Sequence, residues 1–154
     1  MDMRETFRRA VCRILEQFAF MFAETDDERQ VADYPGEFFH AVITFSGSRQ
    51  GAVALSAPVA LCREMAGNVL GEEPAGGDEA IAQDALKELL NVICGELTAA
   101  LFGNREAFDL TVPSLYAIDR GKWRELAADR DNIRLWVEDK PLLAGLLLLC
   151  ERAG

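Results

Sequence analysis

Residues 141–150 read PLLAGLLLLC, six leucines in ten positions with no charge between Lys140 and Glu151. The run is too short for a membrane span, which needs about 20 apolar residues as a helix. It also lacks the apolar–polar alternation of a strand with one wet face. Nine residues after a proline predict a strand buried on both faces, with a buried helix segment as the alternative. Whatever fold the chain adopts must cover both faces of this run with layers that the rest of the sequence supplies.

Those layers can be read along the chain. DMRETFRRAVCRILEQFAFMFAE carries Phe7, Val11, Ile14, Phe18, Met21 and Phe22 at helical spacing. TDDERQVADYPG is charged and turned by Pro35-Gly36, a connector. EFFHAVITF and GAVALSAP suit strands and flank SGSRQ, which predicts an antiparallel hairpin. A short helix follows, with Pro58 near its start and Gly71 just past its end. Asp78 is placed to cap a long helix running to about Gly103, with Glu79 in its first turn. EAFDLTVP then reads as a strand, RGKWRELAADRD as a turn or short helix, and NIRLWVE as an alternating strand before the closing run. The order is helix, two strands, two helices, about three strands. This predicts a single domain over residues 1–154 of the α+β class, a mostly antiparallel sheet packed against two long helices.

Composition removes several functions. A formal net charge of −10 opposes binding to nucleic acid or to anionic lipid. The N-terminus MDMRETFRRA has no uninterrupted apolar segment, so the expected compartment is the cytoplasm. Cys12, Cys62, Cys94 and Cys150 are scattered without a CxxC pair and read as buried thiols in a reducing environment. His40, the one histidine, lies in a predicted strand away from any cysteine, which favours a structural role over metal ligation and leaves no Ser-His-Asp or Cys-His set. There is no GxxxxGK[ST] loop.

What remains is the stripe on the long helix. At 100° per residue Asp84, Glu88, Asn91, Gly95 and Thr98 share one sector, opposite Leu86, Leu89, Leu90, Ile93, Leu97 and Leu101. A merely solvated face is the simplest reading. Against it, like charges at i,i+4 cost roughly 0.2–0.5 kcal/mol, Asn competes for the backbone mid-helix, and Gly95 costs about 1 kcal/mol relative to Ala. Two acids and an amide on one rigid helix cannot wrap a cation. The chemistry left to such a stripe is presentation to another macromolecule, with an amide to orient water and a carboxylate to meet a cation.

DALKELLN followed by Pro113 resembles the signature of the CheC/CheX/FliY family of chemotaxis phosphatases: Asp or Ser, three residues, Glu, two residues, Asn, then a distant Pro. The hairpin ITFSGSRQGAVALSAP, with Gly47 and Gly51 flanking its turn, is similar to that family too. Asn91 and Pro113 stand one residue closer than in the family pattern. The family fold is a pseudo-symmetric pair of helices on a sheet. Matching Glu16 of the first helix to Glu88 sets Ala19 opposite Asn91 and Cys12 opposite Asp84, so only one helix keeps the Glu-Asn pair, as in CheX.

The resemblance implies a phosphatase acting on the phospho-aspartate of a CheY-like response regulator in chemotaxis or two-component signalling. Asn91 would orient the water, Glu88 would pair with the regulator's lysine, and Asp84, Gly95 and Thr98 would take part in docking. No cofactor is implied for this chain, since Mg²⁺ would belong to the regulator. CheX also implies a homodimer joined through its strands, here the C-terminal ones. A non-catalytic adaptor, binding a regulator or a flagellar or motility signalling partner through the same helix, is the alternative.

Overall fold

A computed structural model of the chain describes residues 2–25, 31–69, 79–104 and 107–149. Helix α1 (Met3–Ala19) starts at Asp2, whose carboxylate accepts from the Glu5 N–H at 3.3 Å. It buries Phe7, Val11, Ile14 and Leu15. The helix stops earlier than the apolar spacing suggests. Phe20 takes a left-handed conformation (φ 57°), and the Met21 N–H reaches back to the Leu15 carbonyl at 3.0 Å. This break turns Met21 into the core and leaves Phe22 exposed. It also frees Ala23–Thr25 to form a short strand, β1, which the sequence reading missed.

The predicted hairpin is β2 (Phe38–Ser46) and β3 (Gln50–Pro58), paired antiparallel from Phe38↔Pro58 to Phe45↔Gly51. Gly51 is needed for close approach: a Cβ there would fall on the Leu147 carbonyl and the Phe45 ring. Next come α2 (Val59–Val69) and α3 (Glu79–Phe102), which ends before Gly103 at φ +91°. Gly71 and Asp78, expected at the ends of these helices, lie outside the described residues. The remaining elements are β4 (Asp109–Leu110), β5 (Ser114–Ile118), α4 (Arg120–Ala128), β6 (Ile133–Val137) and β7 (Lys140–Leu149). Where one strand was expected before Pro113, there are two short ones on either side of it.

Every strand pairing is antiparallel, in the order β1-β6-β7-β3-β2-β4, with β5 also on β2. This is the expected α+β architecture. One face of the sheet (Phe39, Ile43, Val53, Leu55, Leu135, Leu142) shares a core with α1, α2 and α3. Part of the opposite face is covered by α4, where Trp123 stacks on Phe38 at 4.3 Å and donates its Nε1–H to the Val31 carbonyl at 3.0 Å. The closing run is a strand, as predicted, but only its first half is buried on both faces. Leu142, Leu143 and Ala144 lie between the two layers, whereas Leu147 and Leu149 are 60% and 50% exposed. The cluster around Trp123 reaches only Leu143 on this strand.

His40 has the structural role expected of it. Its Nδ1 is 2.6 Å from the Ser56 hydroxyl across the β2–β3 pair, and its ring leans on Tyr116. Burial, and secondarily the Lys122 charge, hold its pKa below the ordinary 6.5. Below that pH the unfolded chain binds a proton that the folded chain resists, so the His40 contribution is full above it and is lost as pH falls. The unfolding midpoint in urea should therefore drop between about pH 7.5 and pH 5.5. His40→Gln, which has no proton to gain, should flatten that drop; an equal slope in both proteins would contradict it.

Candidate functional site

Helix α3 positions the stripe by how it is seated. Leu86, Leu89, Leu90, Ile93 and Leu97 are all fully buried against the sheet and its neighbouring helices. The opposite side must then face solvent, and Asp84, Glu88, Asn91 and Gly95 are all exposed. Among the described residues, the side chains of Asp84, Glu88 and Asn91 make no hydrogen bond or ion pair. Several acids elsewhere on the helices are engaged, Glu5 with Arg8 and Arg9, Glu96 with Arg13, Glu79 with Arg63, whereas exposed Glu16 on α1 makes no such contact among the described residues.

Thr98 departs from the expectation. It is 6% exposed, and its hydroxyl donates to the Gly95 carbonyl at 3.0 Å. It closes a local backbone bond and cannot touch a partner. It lies about 40° from Asp84 on the helical wheel, at the edge of the sector, where the helix side meets its packing.

The structure adds a second wall. Asp84, Lys87, Glu88 and Asn91 line an open groove of about 480 Å³ with Leu110, Thr111, Val112 and Pro113 opposite. Pro113, distant in sequence, is thus beside the Glu-Asn pair. The wall is a β-bulge. Phe45 pairs with Leu110 and Val42 with Ser114, so Ile43 and Thr44 face three residues, Thr111, Val112 and Pro113. Pro113 cannot donate to a ladder, which suits it to such a break. Thr111 pins it: its N–H donates to the Thr44 carbonyl at 3.0 Å, and its Oγ1 accepts from the Thr44 N–H at 3.0 Å. Sequence reasoning missed Lys87 and Leu110–Val112. The signal available was a proline at the end of an otherwise strand-like stretch, a mark of a bulge or an edge.

Among the described residues no cysteine is an activated nucleophile. Burial pushes the Cys62 thiol up to about 12 and Cys94 up to about 11, and raises Cys12 as well, so these thiols stay protonated near neutrality. Among the described residues no three His, Cys, Asp or Glu side chains gather closely enough to hold a metal ion.

The family pattern described as chemotaxis phosphatase CheX matches residues 39–131, more than half of the sequence and all of the groove. The chain belongs to the CheX family. Solved structures share the fold along nearly the whole chain. CheX from Desulfovibrio desulfuricans is 16% identical with a TM-score of 0.69, over 97% of this chain and 100% of its own. CheX from Vibrio vulnificus is 16% identical with a TM-score of 0.71, over 97% of each chain. The CheX–CheY–BeF3–Mg²⁺ complex from Borrelia burgdorferi is 16% identical with a TM-score of 0.67, over 96% of this chain and 97% of that one. No curated protein matches the sequence. Among the described residues no helix is long and apolar enough to cross a membrane.

Gly95 tests whether the stripe of this CheX-family chain serves the fold. A Cβ at Gly95 would meet nothing within 4 Å. Gly95→Ala should therefore raise stability by about 0.4–1 kcal/mol in urea unfolding. A destabilised variant would show that the glycine is there for packing.

Proposed function

We propose that this chain hydrolyses the phospho-aspartate of a CheY-like response regulator, with Glu88 and Asn91 as the catalytic pair. The observation that carries this is the groove itself: an exposed carboxylate and an exposed amide, one helical turn apart and without partners among the described residues, on a helix whose other side is locked in the core. An acyl phosphate is already activated, so a positioned water in line with the scissile bond supplies most of what is needed. The Asn91 amide enters the regulator's site and holds that water. The water oxygen bonds to phosphorus, the bond from phosphorus to the aspartyl oxygen breaks, and free carboxylate and inorganic phosphate result. Glu88 pairs with the regulator's phosphate-site lysine and sets the register, a charge-assisted contact that strengthens as water leaves. Asp84 extends the acidic stripe towards the start of α3 and contributes to docking. Exposed Gly95 lets the regulator's backbone approach closely.

The divalent ion belongs to the regulator. The Borrelia burgdorferi relative was solved in a complex with CheY, which supports a CheY-like regulator as the partner. The process is chemotaxis or related two-component signalling in the cytoplasm.

Catalysis by Asn91 predicts that Asn91→Ala lowers turnover by at least about 100-fold. It should also leave stability within about 0.5 kcal/mol and receiver binding largely intact. Wild-type turnover in that variant would remove Asn91 from the mechanism.

We further infer a homodimer through β7. Beyond Ala144 this strand is paired with β3 alone, and its other edge carries no strand among the described residues. An open edge beside exposed leucines invites pairing with a second copy. It lies across β3 and β2 from the groove, so pairing there leaves both grooves free. Light scattering at micromolar concentration should give about twice the 17.0 kDa chain mass. A species of single-chain mass would contradict the dimer.

A further inference from the structure

Val112 is the most exposed large hydrophobic residue among those described, at 88%. A valine gains nothing from that position in the isolated chain, and a scattered exposed apolar residue would ordinarily need no explanation. Three features set this one apart. It sits on the rim of the groove that holds Glu88 and Asn91. It is the residue that the β-bulge throws outward, and bulges serve to re-aim side chains. It is also held still: Thr111 before it is bonded to Thr44 by backbone and hydroxyl, and Pro113 after it has a ring-fixed φ. A β-branched side chain on a fixed backbone has little rotamer freedom left to lose.

A rigid apolar knob beside unpaired polar groups is what a docking anchor requires, because the ordering cost is met before the partner arrives. Resting on the reading above, we propose that Val112 is the apolar anchor by which the response regulator docks, and that the Thr44–Thr111 clamp positions it. The occupant is the receiver domain whose phospho-aspartate lies opposite Asn91. Its matching surface is an apolar depression next to the phosphorylation site. Glu88 and Asn91 then act on charge and water, while Val112 supplies burial and fixes how far the partner's surface stands from α3. The anchor should act on binding and leave the chemical step alone.

The test uses the full chain, a phosphorylated receiver domain for turnover and the same domain activated with beryllofluoride for binding. Val112→Asp should raise Kd and KM by at least about tenfold while kcat stays within about twofold. Its urea midpoint should match wild type, because the side chain touches little of its own fold. Val112→Ile should bind as wild type does. Thr111→Val, which keeps the shape but loses the hydroxyl bonds, should weaken binding by a smaller factor. Active wild type with unchanged Kd and KM in Val112→Asp overturns the anchor and spares the phosphatase reading. Wild type that binds the receiver without turning it over sinks the phosphatase reading, and the Val112→Asp dissociation constant still decides the anchor. Wild type that does not bind overturns both.

Discussion

The fully buried row Leu86, Leu89, Leu90, Ile93 and Leu97 holds α3 against the sheet, and the direction in which Asn91 points follows from it. Burial of such side chains is worth roughly 1.5–3 kcal/mol each, far more than the few tenths that the Asp84–Glu88 repulsion costs. The helix therefore tolerates two acids, an asparagine and a glycine on its outer side without losing its seat. Rotating α3 to hide the stripe would expose the leucines, so the stripe is presented as rigidly as the core is packed.

The second wall depends on the sheet rather than on the helix. β2 is the shared element: one neighbour is β3, and the other is the interrupted strand formed by β4 and β5. Its inward residues Ile43 and Phe45 help to build the floor under α3, while Thr44 faces outward and holds Thr111. A single strand thus sets the height of the helix and the position of the bulge. The two walls of the groove have a common foundation, because Thr44 of the same strand holds Thr111 in the short connection between β4 and β5. At the far side of the sheet, Trp123 and Phe38 fix α4 over part of the outer face, where its cluster reaches Leu143, and Leu147 and Leu149 stay exposed.

The parts legible in the sequence were those with a strong period. The hairpin was readable from two apolar runs around a glycine-bearing turn, and α3 from its leucine spacing. The stripe was readable because its residue types are poor choices for a solvated helix. The end of α1 was not readable: the apolar spacing runs on through Phe22, and only the left-handed turn at Phe20 shows where the helix yields to β1. Thr98 was misplaced because an ideal wheel cannot say where a helix edge meets its neighbour. The bulge was missed because two-residue β4 has too little pattern to separate from β5, and because a register shift depends on the partner strand. The closing leucines announced a strand but not where its cover ends, since α4's footprint is a tertiary property.

A phosphatase turns over phosphorylated regulator, whereas an adaptor only holds it. The most direct measurement is inorganic phosphate released from a receiver domain that phosphorylates itself from a small-molecule donor, present in large molar excess over the chain. Catalysis by this chain should give a steady release many times the amount of chain added, proportional to chain concentration and above the receiver's own rate. Release that never exceeds one phosphate per chain, or a rate equal to that of the receiver alone, would contradict it.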